Sequence, residues 1–134
     1  MKKSLTDLIQ FRLSRADETM EEAKQLARTE HWNGVVNRLY YAAFYAVSAL
    51  MITKDFYTKK HSGLRSKFNE EIIKKGTLPS NFGNTYNILF DSRTSGDYAD
   101  FVVFEKEQVV PLIDSTVLLI NEIKKLITDD SFTN

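Results

Sequence analysis

The longest continuous pattern of apolar positions runs from Asn33 to Ile52. From Leu39 onward, Ser48 is the one interruption in a run of apolar and aromatic side chains. At helical spacing these side chains fall on opposite faces, so a helix formed here must be surrounded by other elements. The run is shorter than the ~20 residues that span a bilayer. The pattern therefore predicts a central core helix, at whose edge Arg38 requires an acidic or anionic partner.

Two longer amphipathic patterns lie at either end of the chain. Apolar or small side chains recur every three or four residues in both patterns, which predicts one helix over residues 5–28 and another over residues 105–127. In the last helix, Pro111 either kinks the first turns or marks the true start. Residues 128–134 are expected to form a frayed tail. The expected buried stripe of the first helix contains Leu5, Ile9, Leu13, Ala16, Met20, Ala23 and Ala27. Apolar side chains outside the main stripes indicate a surface that a second copy of the chain would cover: Leu8, Phe11, Leu26 and Leu119.

Two further helical segments lie between these patterns. Residues 54–75 carry seven basic and three acidic side chains. This excess of positive charge is either a solvated helix face or a local surface that attracts anions. Thr58 is the expected cap of a helix that Gly76 ends. The next helix is expected to end or loosen at Ser95 and Gly96. The expected buried side chains of these segments are Leu64, Phe68, Ile72 and Ile73 in the first, and Tyr86, Leu89 and Phe90 in the second.

Composition limits the class of protein. The 134 residues fit a single domain, 1–134, with a core over about residues 5–127. Two prolines and five glycines leave little turn chemistry for a β fold, so the class is all-α. Eighteen basic and eighteen acidic residues cancel, and any contact with nucleic acid must be local. The N-terminus lacks the apolar segment of a signal peptide, which favours a cytoplasmic protein with no membrane contact.

Most standard catalytic sites are excluded by the residues available. The chain has no cysteine, and its glycines are scattered singly, so no glycine-rich loop cradles phosphate. His31 and His61 fit no metal-ligand spacing. No motif supplies a serine nucleophile with its base. Neither a metal nor a cofactor is therefore expected.

One segment, Arg93-Thr-Ser-Gly-Asp-Tyr98, combines an arginine, a carboxylate and a phenol within six residues. One interpretation is a local ion pair between Arg93 and Asp97, with Tyr98 packed on the core. The other is an anion site, because a guanidinium grips phosphate in a bidentate fork. The residues alone leave both interpretations open.

Three segments taken together resemble the HEPN domain family (higher eukaryotes and prokaryotes nucleotide-binding). They are Arg38-Leu-Tyr-Tyr-Ala-Ala-Phe-Tyr-Ala, Thr58-Lys-Lys-His-Ser-Gly-Leu with Phe68 after it, and Arg93-Thr-Ser-Gly-Asp-Tyr98. They occur in one order and at one spacing, and the resemblance covers about residues 5–127. The chain is similar to the small, single-domain prokaryotic members.

This resemblance implies a fold and a biological setting. The fold is an all-α bundle of four long antiparallel helices plus a short helix, usually assembled as a homodimer. Many members are metal-independent ribonucleases that act as toxins, and several are paired with an MNT-type nucleotidyltransferase antitoxin. Such transferases are thought to adenylylate a tyrosine near the arginine motif, and Tyr98 is the matching candidate here.

The resemblance also assigns candidate site residues. The active motif of the family is an arginine followed a few residues later by a histidine, and the dimer brings two copies together around a cleft. Arg93 matches the arginine, whereas Tyr98 stands in place of the histidine. Tyrosine titrates near ~10 and is a poor general base at neutral pH. The candidates are Arg93, Asp97, Tyr98 and His61 for catalysis, and Arg93, Arg38, Lys59 and Lys60 for binding RNA or nucleotide.

Two functions from different classes follow. The first is a toxin–antitoxin protein that binds RNA or nucleotide phosphate, and cleaves RNA, through Arg93 in a dimer cleft. The second is a non-catalytic helical interaction module that binds a nucleotidyltransferase partner or a nucleotide. The replaced histidine favours the second, while the spacing from Arg93 to Tyr98 keeps the first open. A helical scaffold with no ligand is the third alternative.

Overall fold

Five helices form the chain in the computed structural model, which describes residues 2–98 and 102–131, with side chains over 4–95 and 102–129. Short π-helical turns extend two of the helices, over Asn69–Ile73 and Ile127–Ser131. The described ranges contain no strand, so the predicted all-α class with four long helices and a short one is confirmed. The helices are α1 (Lys2–Arg28), α2 (Trp32–Thr53), α3 (His61–Phe68), α4 (Ser80–Tyr98) and α5 (Lys106–Leu126).

The helix α2 is the centre of the bundle, and each of the other four helices packs against it. Fourteen of its residues are buried, on all sides of the helix, as the apolar run predicts. With 22 residues, α2 is nevertheless long and apolar enough to cross a membrane, so the prediction that the run is too short for a span is wrong. Its burial inside the bundle is what the core helix of a soluble protein shows.

The helix α1 lies antiparallel to α2. Successive contacts run in opposite directions along the two helices, from Leu26–Gly34 through Glu22–Arg38 to Arg15–Tyr45. The predicted stripe is buried from Ile9 to Ala23, but Leu5 is 42% exposed. The reason is that α2 ends at Thr53, so the first turn of α1 projects beyond the helix that covers the rest.

The helix α3 begins at His61, later than the predicted cap. Thr58 instead accepts a hydrogen bond of 3.1 Å from the backbone N–H of Lys60 and shapes the connection just before the helix. The chain leaves the following π-helical turn through Gly76, whose φ of 79° glycine adopts without steric cost. The predicted stripe is buried at Leu64, Phe68 and Ile72 and partly buried at Ile73.

The helix α4 continues through Ser95 and Gly96 to Tyr98. The prediction that the helix ends or loosens at these two residues is therefore wrong. A glycine inside a helix costs only ~1 kcal/mol. A cost of this size does not by itself end a helix.

The helix α5 begins at Lys106, so Pro111 lies inside the helix and does not mark its start. At the amino end, the Gln108 side chain accepts a hydrogen bond of 2.7 Å from the backbone N–H of Glu105. Helical backbone continues to Ser131, which lies within the predicted tail.

Asn33, at the start of α2, holds the connection that precedes α5. Its side-chain nitrogen donates a hydrogen bond of 2.9 Å to the backbone carbonyl of Val102. Its side-chain oxygen accepts one of 2.8 Å from the backbone N–H of Phe104. A single amide therefore fixes where the chain returns to the bundle after α4.

The apolar residues predicted to lie outside the helix stripes divide between the core and the surface. Leu119 is completely buried, so the prediction that it lies outside the buried stripe is wrong. Leu8 and Leu26 are partly buried against the core. Phe11 is 62% exposed, and Leu118, the neighbour of Leu119, is 60% exposed. The homodimer stays a prediction, and Phe11 and Leu118 are exposed apolar side chains that a second copy of the chain could cover.

Candidate functional site

Two adjacent tyrosines of α2, Tyr40 and Tyr41, form the base of the candidate site. Successive residues of a helix point ~100° apart. Tyr40 is accordingly completely buried, whereas Tyr41 is half-buried. The two rings meet edge to face, with centroids 5.3 Å apart. Tyr40 therefore lies in the core, and Tyr41 extends the pair of rings to the surface.

Arg93 reaches this tyrosine pair from α4. Its guanidinium carbon lies 5.2 Å from the ring centroid of Tyr40 and 5.4 Å from that of Tyr41. The Nη2 atom donates a hydrogen bond of 3.0 Å to the Tyr41 hydroxyl. Cation–π attraction and this hydrogen bond together hold the half-buried guanidinium in place.

His61, the first residue of α3, contacts the same pair. Its Nδ1 lies 2.7 Å from the Tyr40 hydroxyl, and its ring stacks on Phe44 with centroids 4.4 Å apart. Burial lowers the pKa of His61, and the positive charge of Arg93 lowers this pKa further. The imidazole is therefore mainly neutral at neutral pH, the form that accepts a proton.

The tyrosine pair thus connects the motif arginine to a histidine from a different helix. Burial raises the pKa of Tyr40 to about 12, so its hydroxyl stays protonated at neutral pH. The residues Tyr40, Tyr41, His61 and Arg93 are called the Arg93–His61 cluster below. It combines a fixed guanidinium with a neutral imidazole, the groups that bind phosphate and move a proton.

Arg38, a predicted binding residue, borders the cluster on α2. Its guanidinium carbon lies 5.3 Å from the ring centroid of Tyr41. Its Nη1 is 3.1 Å from a carboxylate oxygen of Glu22, which is the acidic partner expected for this residue. Its Nε and Nη2 both donate to the side-chain oxygen of Asn37.

Arg65, on α3, borders the cluster on another side. Its guanidinium carbon lies 4.0 Å from the ring centroid of Phe90, and that ring packs edge to face on Tyr40. Its Nη1 is 3.2 Å from a carboxylate oxygen of Asp91. The motif helix α4 is thereby attached to α3 next to His61.

The other predicted site residues lie close in sequence to the cluster. Lys59 and Lys60 are exposed in the connection that leads into His61. The backbone of α4 includes Asp97 and Tyr98, so residues 93–98 are helical. The side chains of Asp97 and Tyr98 lie outside the described residues. In the part of the chain that the structure describes, no group of three or more His, Asp or Glu side chains could hold a metal ion.

Residues 9–126 match the family model described as HEPN domain. The chain belongs to the HEPN domain family. The family inferred from the three sequence segments is therefore confirmed, and the match includes every residue of the Arg93–His61 cluster.

Three known proteins are similar to nearly the whole chain. A "UPF0332 protein" of Thermotoga maritima is 40% identical over 122 residues, covering 91% of this chain and 92% of the relative. "Putative toxin MJ0142" of Methanocaldococcus jannaschii is 32% identical over 124 residues, covering 92% of this chain and 82% of the relative. "Putative toxin MJ0605" of the same organism is 26% identical over 129 residues, covering 96% of both chains.

Sequence reasoning named Arg93 and His61 in this HEPN chain but missed the tyrosines that join them. It also missed Arg65, whose contact with Asp91 is tertiary. Tyr40 and Tyr41 were interpreted only as core. One signal was present, because a buried tyrosine hydroxyl usually has a hydrogen-bond partner. Two tyrosines in the middle of a core helix therefore indicate that polar side chains from neighbouring helices meet there.

Proposed function

We propose that this HEPN chain is a toxin-type protein that binds RNA at the Arg93–His61 cluster and cleaves its backbone without a metal. The observation that carries the proposal is that Arg93 and His61 contact the same tyrosine pair. His61 then supplies, from α3, the imidazole that the arginine motif lacks at Tyr98. The names of the two relatives from Methanocaldococcus jannaschii support the assignment as a toxin.

The cleavage step assigns a role to each residue of the cluster. Neutral His61 takes the proton of a ribose 2′-hydroxyl, and the 2′-oxygen forms a bond to phosphorus. The bond from phosphorus to the 5′-oxygen breaks, and the leaving oxygen takes a proton from solvent. The products are a 2′,3′-cyclic phosphate and a 5′-hydroxyl. The guanidinium of Arg93 stabilises the negative charge that develops on the phosphorane oxygens.

Tyr40 positions the imidazole for this step. When Nδ1 donates its proton to the Tyr40 hydroxyl oxygen, Nε2 is the basic nitrogen. The short hydrogen bond and the stacking on Phe44 hold the ring in one orientation. Because burial keeps the Tyr40 hydroxyl protonated, this partner does not change with pH in the neutral range.

Residues around the cluster would contact the rest of the RNA. Lys59 and Lys60 are exposed immediately before His61, where ammonium groups attract the phosphates next to the cleaved bond. Arg38 is a second binding arginine, since its carboxylate partner Glu22 is partly exposed and can exchange for a phosphate.

The proposal includes the partners that the family implies. We infer a cytoplasmic homodimer, which the exposed apolar side chains of Phe11 and Leu118 support. We also infer an MNT-type nucleotidyltransferase as antitoxin, with Tyr98 as the residue that it adenylylates. An added AMP group would place negative charge near Arg93 and compete with RNA phosphate.

A second function, a non-catalytic module that binds a nucleotidyltransferase partner or a nucleotide, is favoured by one observation. The arginine motif carries Tyr98 where a histidine is expected. If the imidazole of His61 is not used in catalysis, the cluster still binds phosphate through Arg93 but moves no proton.

Variants of the two histidines test the proposal. The parent should cleave single-stranded RNA in the presence of a chelator and leave DNA of the same sequence intact, because DNA lacks the 2′-hydroxyl. His61→Ala should lower the cleavage rate by ~100-fold or more. His31→Ala is the matched control, because His31 is exposed and bonded to Thr29, away from the cluster.

Three results separate the alternatives. Cleavage by His61→Ala at the rate of the parent would contradict the role of His61. If the parent binds RNA but neither the parent nor the variants cleave it, the non-catalytic function is supported. An absence of both binding and cleavage in the parent would overturn both functions.

A further inference from the structure

Aromatic and guanidinium groups continue away from the cluster along the side of α2 that faces α1. Tyr45 lies one helical turn after Tyr41, and the two ring centroids are 6.4 Å apart. The guanidinium carbon of Arg15, from α1, lies 5.2 Å from the ring centroid of Tyr45. Tyr45 and Arg15 are both half-buried. The arrangement of arginine over tyrosine found at Arg93 is thus repeated one turn further along.

The same arrangement occurs a third time near the start of α1. Arg12 lies one turn before Arg15, and its Nη2 is 3.5 Å from the hydroxyl of Tyr57. The guanidinium carbon of Arg12 is 6.0 Å from the ring centroid of Tyr57, which is 52% exposed. The resulting row of contacts is called the arginine–tyrosine row, and in order it contains Arg93, Tyr41, Tyr45, Arg15, Arg12 and Tyr57.

The chemistry of this row matches one class of ligand. Half-exposed aromatic rings stack on unpaired bases, and guanidinium groups placed between them bind the phosphates that join those bases. A duplex does not fit this chemistry, because its bases are stacked on one another. Glu18 is bonded to Arg15 but is 63% exposed, so a phosphate can replace it. The row therefore offers guanidinium groups for the phosphates of a single strand and, at Tyr57, an exposed ring on which a base can stack.

We propose that the arginine–tyrosine row is the path of a single-stranded RNA segment that extends from the phosphate at Arg93 to a base stacked on Tyr57. This inference rests on the proposed function, since Arg93 sets the end at which the strand is cleaved. It adds a binding surface on α1 and on the connection after α2, away from the arginine motif. The protein should accordingly prefer an unpaired region that extends several nucleotides from the cleaved bond.

The purely structural alternative is that these contacts only attach α1 to α2. Arg12 and Tyr57 distinguish the two, because they form the end of the row, where Tyr57 is exposed and Arg12 is only partly buried. If their role is to bind RNA, replacing them should change binding and leave the melting temperature nearly unchanged. If their role is structural, the melting temperature should fall and RNA binding by the folded protein should stay the same.

The test uses uncleavable 2′-O-methyl oligonucleotides of two lengths, about 4 and about 12 nucleotides, in fluorescence anisotropy titrations. Tyr57→Ala should weaken binding of the long oligonucleotide roughly tenfold, the effect of losing one stacked base, and should leave the short one unaffected. Tyr57→Leu should lose as much, since it keeps the apolar volume but not the aromatic face. Arg12→Gln should lower the slope of log Kd against log salt by about 0.7 for the long oligonucleotide, the effect of one phosphate contact with a single strand.

A matched control and the result for Arg93 make the outcomes distinguishable. Arg28→Gln removes an exposed arginine from the opposite end of α1 and should bind both oligonucleotides like the parent. Arg93→Ala should weaken the binding of both oligonucleotides at least about tenfold. If Arg93→Ala weakens both while the Arg12 and Tyr57 variants bind the long one like the parent, the row is not the RNA path and the proposed function stands. If Arg93→Ala weakens neither, the proposed function itself fails and the inference falls with it.

Discussion

The hydroxyl oxygen of Tyr40 and the Nδ1 atom of His61 lie 2.7 Å apart, in a hydrogen bond that joins the middle of α2 to the first residue of α3. Tyr40 is completely buried, while His61 is half-buried at the edge of the cluster. The core helix therefore controls the orientation of the one cluster histidine. The same helix carries Tyr41, to which Arg93 is bonded, so both candidate functional groups are positioned by adjacent residues of α2.

Removing the Tyr40 hydroxyl should affect activity more than stability. Tyr40→Phe keeps the ring and its packing, so we expect the free energy of unfolding to fall by only ~1 kcal/mol, measured by urea denaturation. The RNA cleavage rate should fall roughly tenfold, because the imidazole loses its fixed orientation. A double-mutant cycle supplies the control: in a His61→Ala background, Tyr40→Phe should not slow cleavage further.

The lowered pKa of His61 predicts how stability depends on pH. Because the folded-state pKa lies below the unfolded value near ~6.5, the unfolded chain binds more protons between these two values. The contribution of His61 to the free energy of unfolding is fully present above about pH 6.5 and is lost as the pH falls through the folded-state pKa. Urea denaturation at several pH values should show this decrease in the parent and in His31→Gln. The same decrease in His61→Gln would assign it to other groups.

Arg93 should also influence this titration. Its positive charge is the second cause, after burial, of the lowered pKa of His61. Arg93→Gln removes the charge and keeps a polar side chain, so the pKa of His61 followed by NMR should rise. An unchanged pKa would mean that burial alone lowers it, and that the guanidinium and the imidazole do not act on each other.

Replacing Arg93 and Arg38 in turn separates function from structure. Arg93→Ala should weaken RNA binding between about tenfold and a hundredfold, because the phosphate loses a charge-assisted hydrogen-bond donor. Arg38→Ala breaks a partly exposed ion pair with Glu22, so it should lower the free energy of unfolding by ~1 kcal/mol or less. It should weaken RNA binding less than Arg93→Ala does, because Arg38 borders the cluster. Chemical denaturation and anisotropy titration of both variants test this. Parent-like RNA binding by Arg93→Ala would show that the motif arginine is not the functional centre.

The predicted homodimer can be tested at Leu118. A glutamate at this 60% exposed position should be tolerated by the monomer but not inside an apolar interface. Light scattering should give twice the chain mass of 15.5 kDa for the parent and the chain mass for Leu118→Glu, with unchanged circular dichroism. Ile88→Glu changes an exposed apolar residue of α4 and is the matched control. A parent of monomer mass at micromolar concentration would count against the dimer.

Co-expression with an MNT-type nucleotidyltransferase tests Tyr98. Intact-mass analysis should show an added AMP group, peptide mapping should place it on Tyr98, and the modified protein should bind RNA more weakly. Tyr98→Phe should remain unmodified. Modification of another tyrosine, or of none, would remove Tyr98 from the regulatory role.

The parts of the fold that follow from local periodicity were predictable from the sequence. The apolar run from Leu39 to Ile52 can be buried only at the centre of a bundle, and α2 occupies that position. Helix ends were less predictable, because a weak local signal does not decide where a helix stops. Ser95 and Gly96 predicted an end, but a glycine costs a helix only ~1 kcal/mol and α4 continues through both residues.

The exposure of a single side chain depends on the exact rotation of its helix, which the pattern of apolar residues does not determine. Leu118 and Leu119 are equally apolar and adjacent, but the rotation of ~100° per residue places one on the surface and the other in the core. The approach of His61 to Tyr40 is a tertiary contact across 21 residues, and no local spacing encodes it. The sequence therefore identified the motif arginine and the candidate histidine, while their connection through the tyrosine pair required the structure.

The two hydrogen bonds of Asn33 have a mechanical consequence. They tie the start of α2 to Val102 and Phe104, so every residue of the Arg93–His61 cluster lies in one closed loop of chain that begins and ends at this amide. A displacement of α5, for example when a second copy of the chain docks, would pull directly on the first turn of α2. Asn33 would then transmit the displacement of α5 to the tyrosine pair. Asn33→Ala removes both bonds, so dimerisation should affect RNA cleavage less in this variant than in the parent. The same effect of dimerisation in both proteins would exclude this role of Asn33.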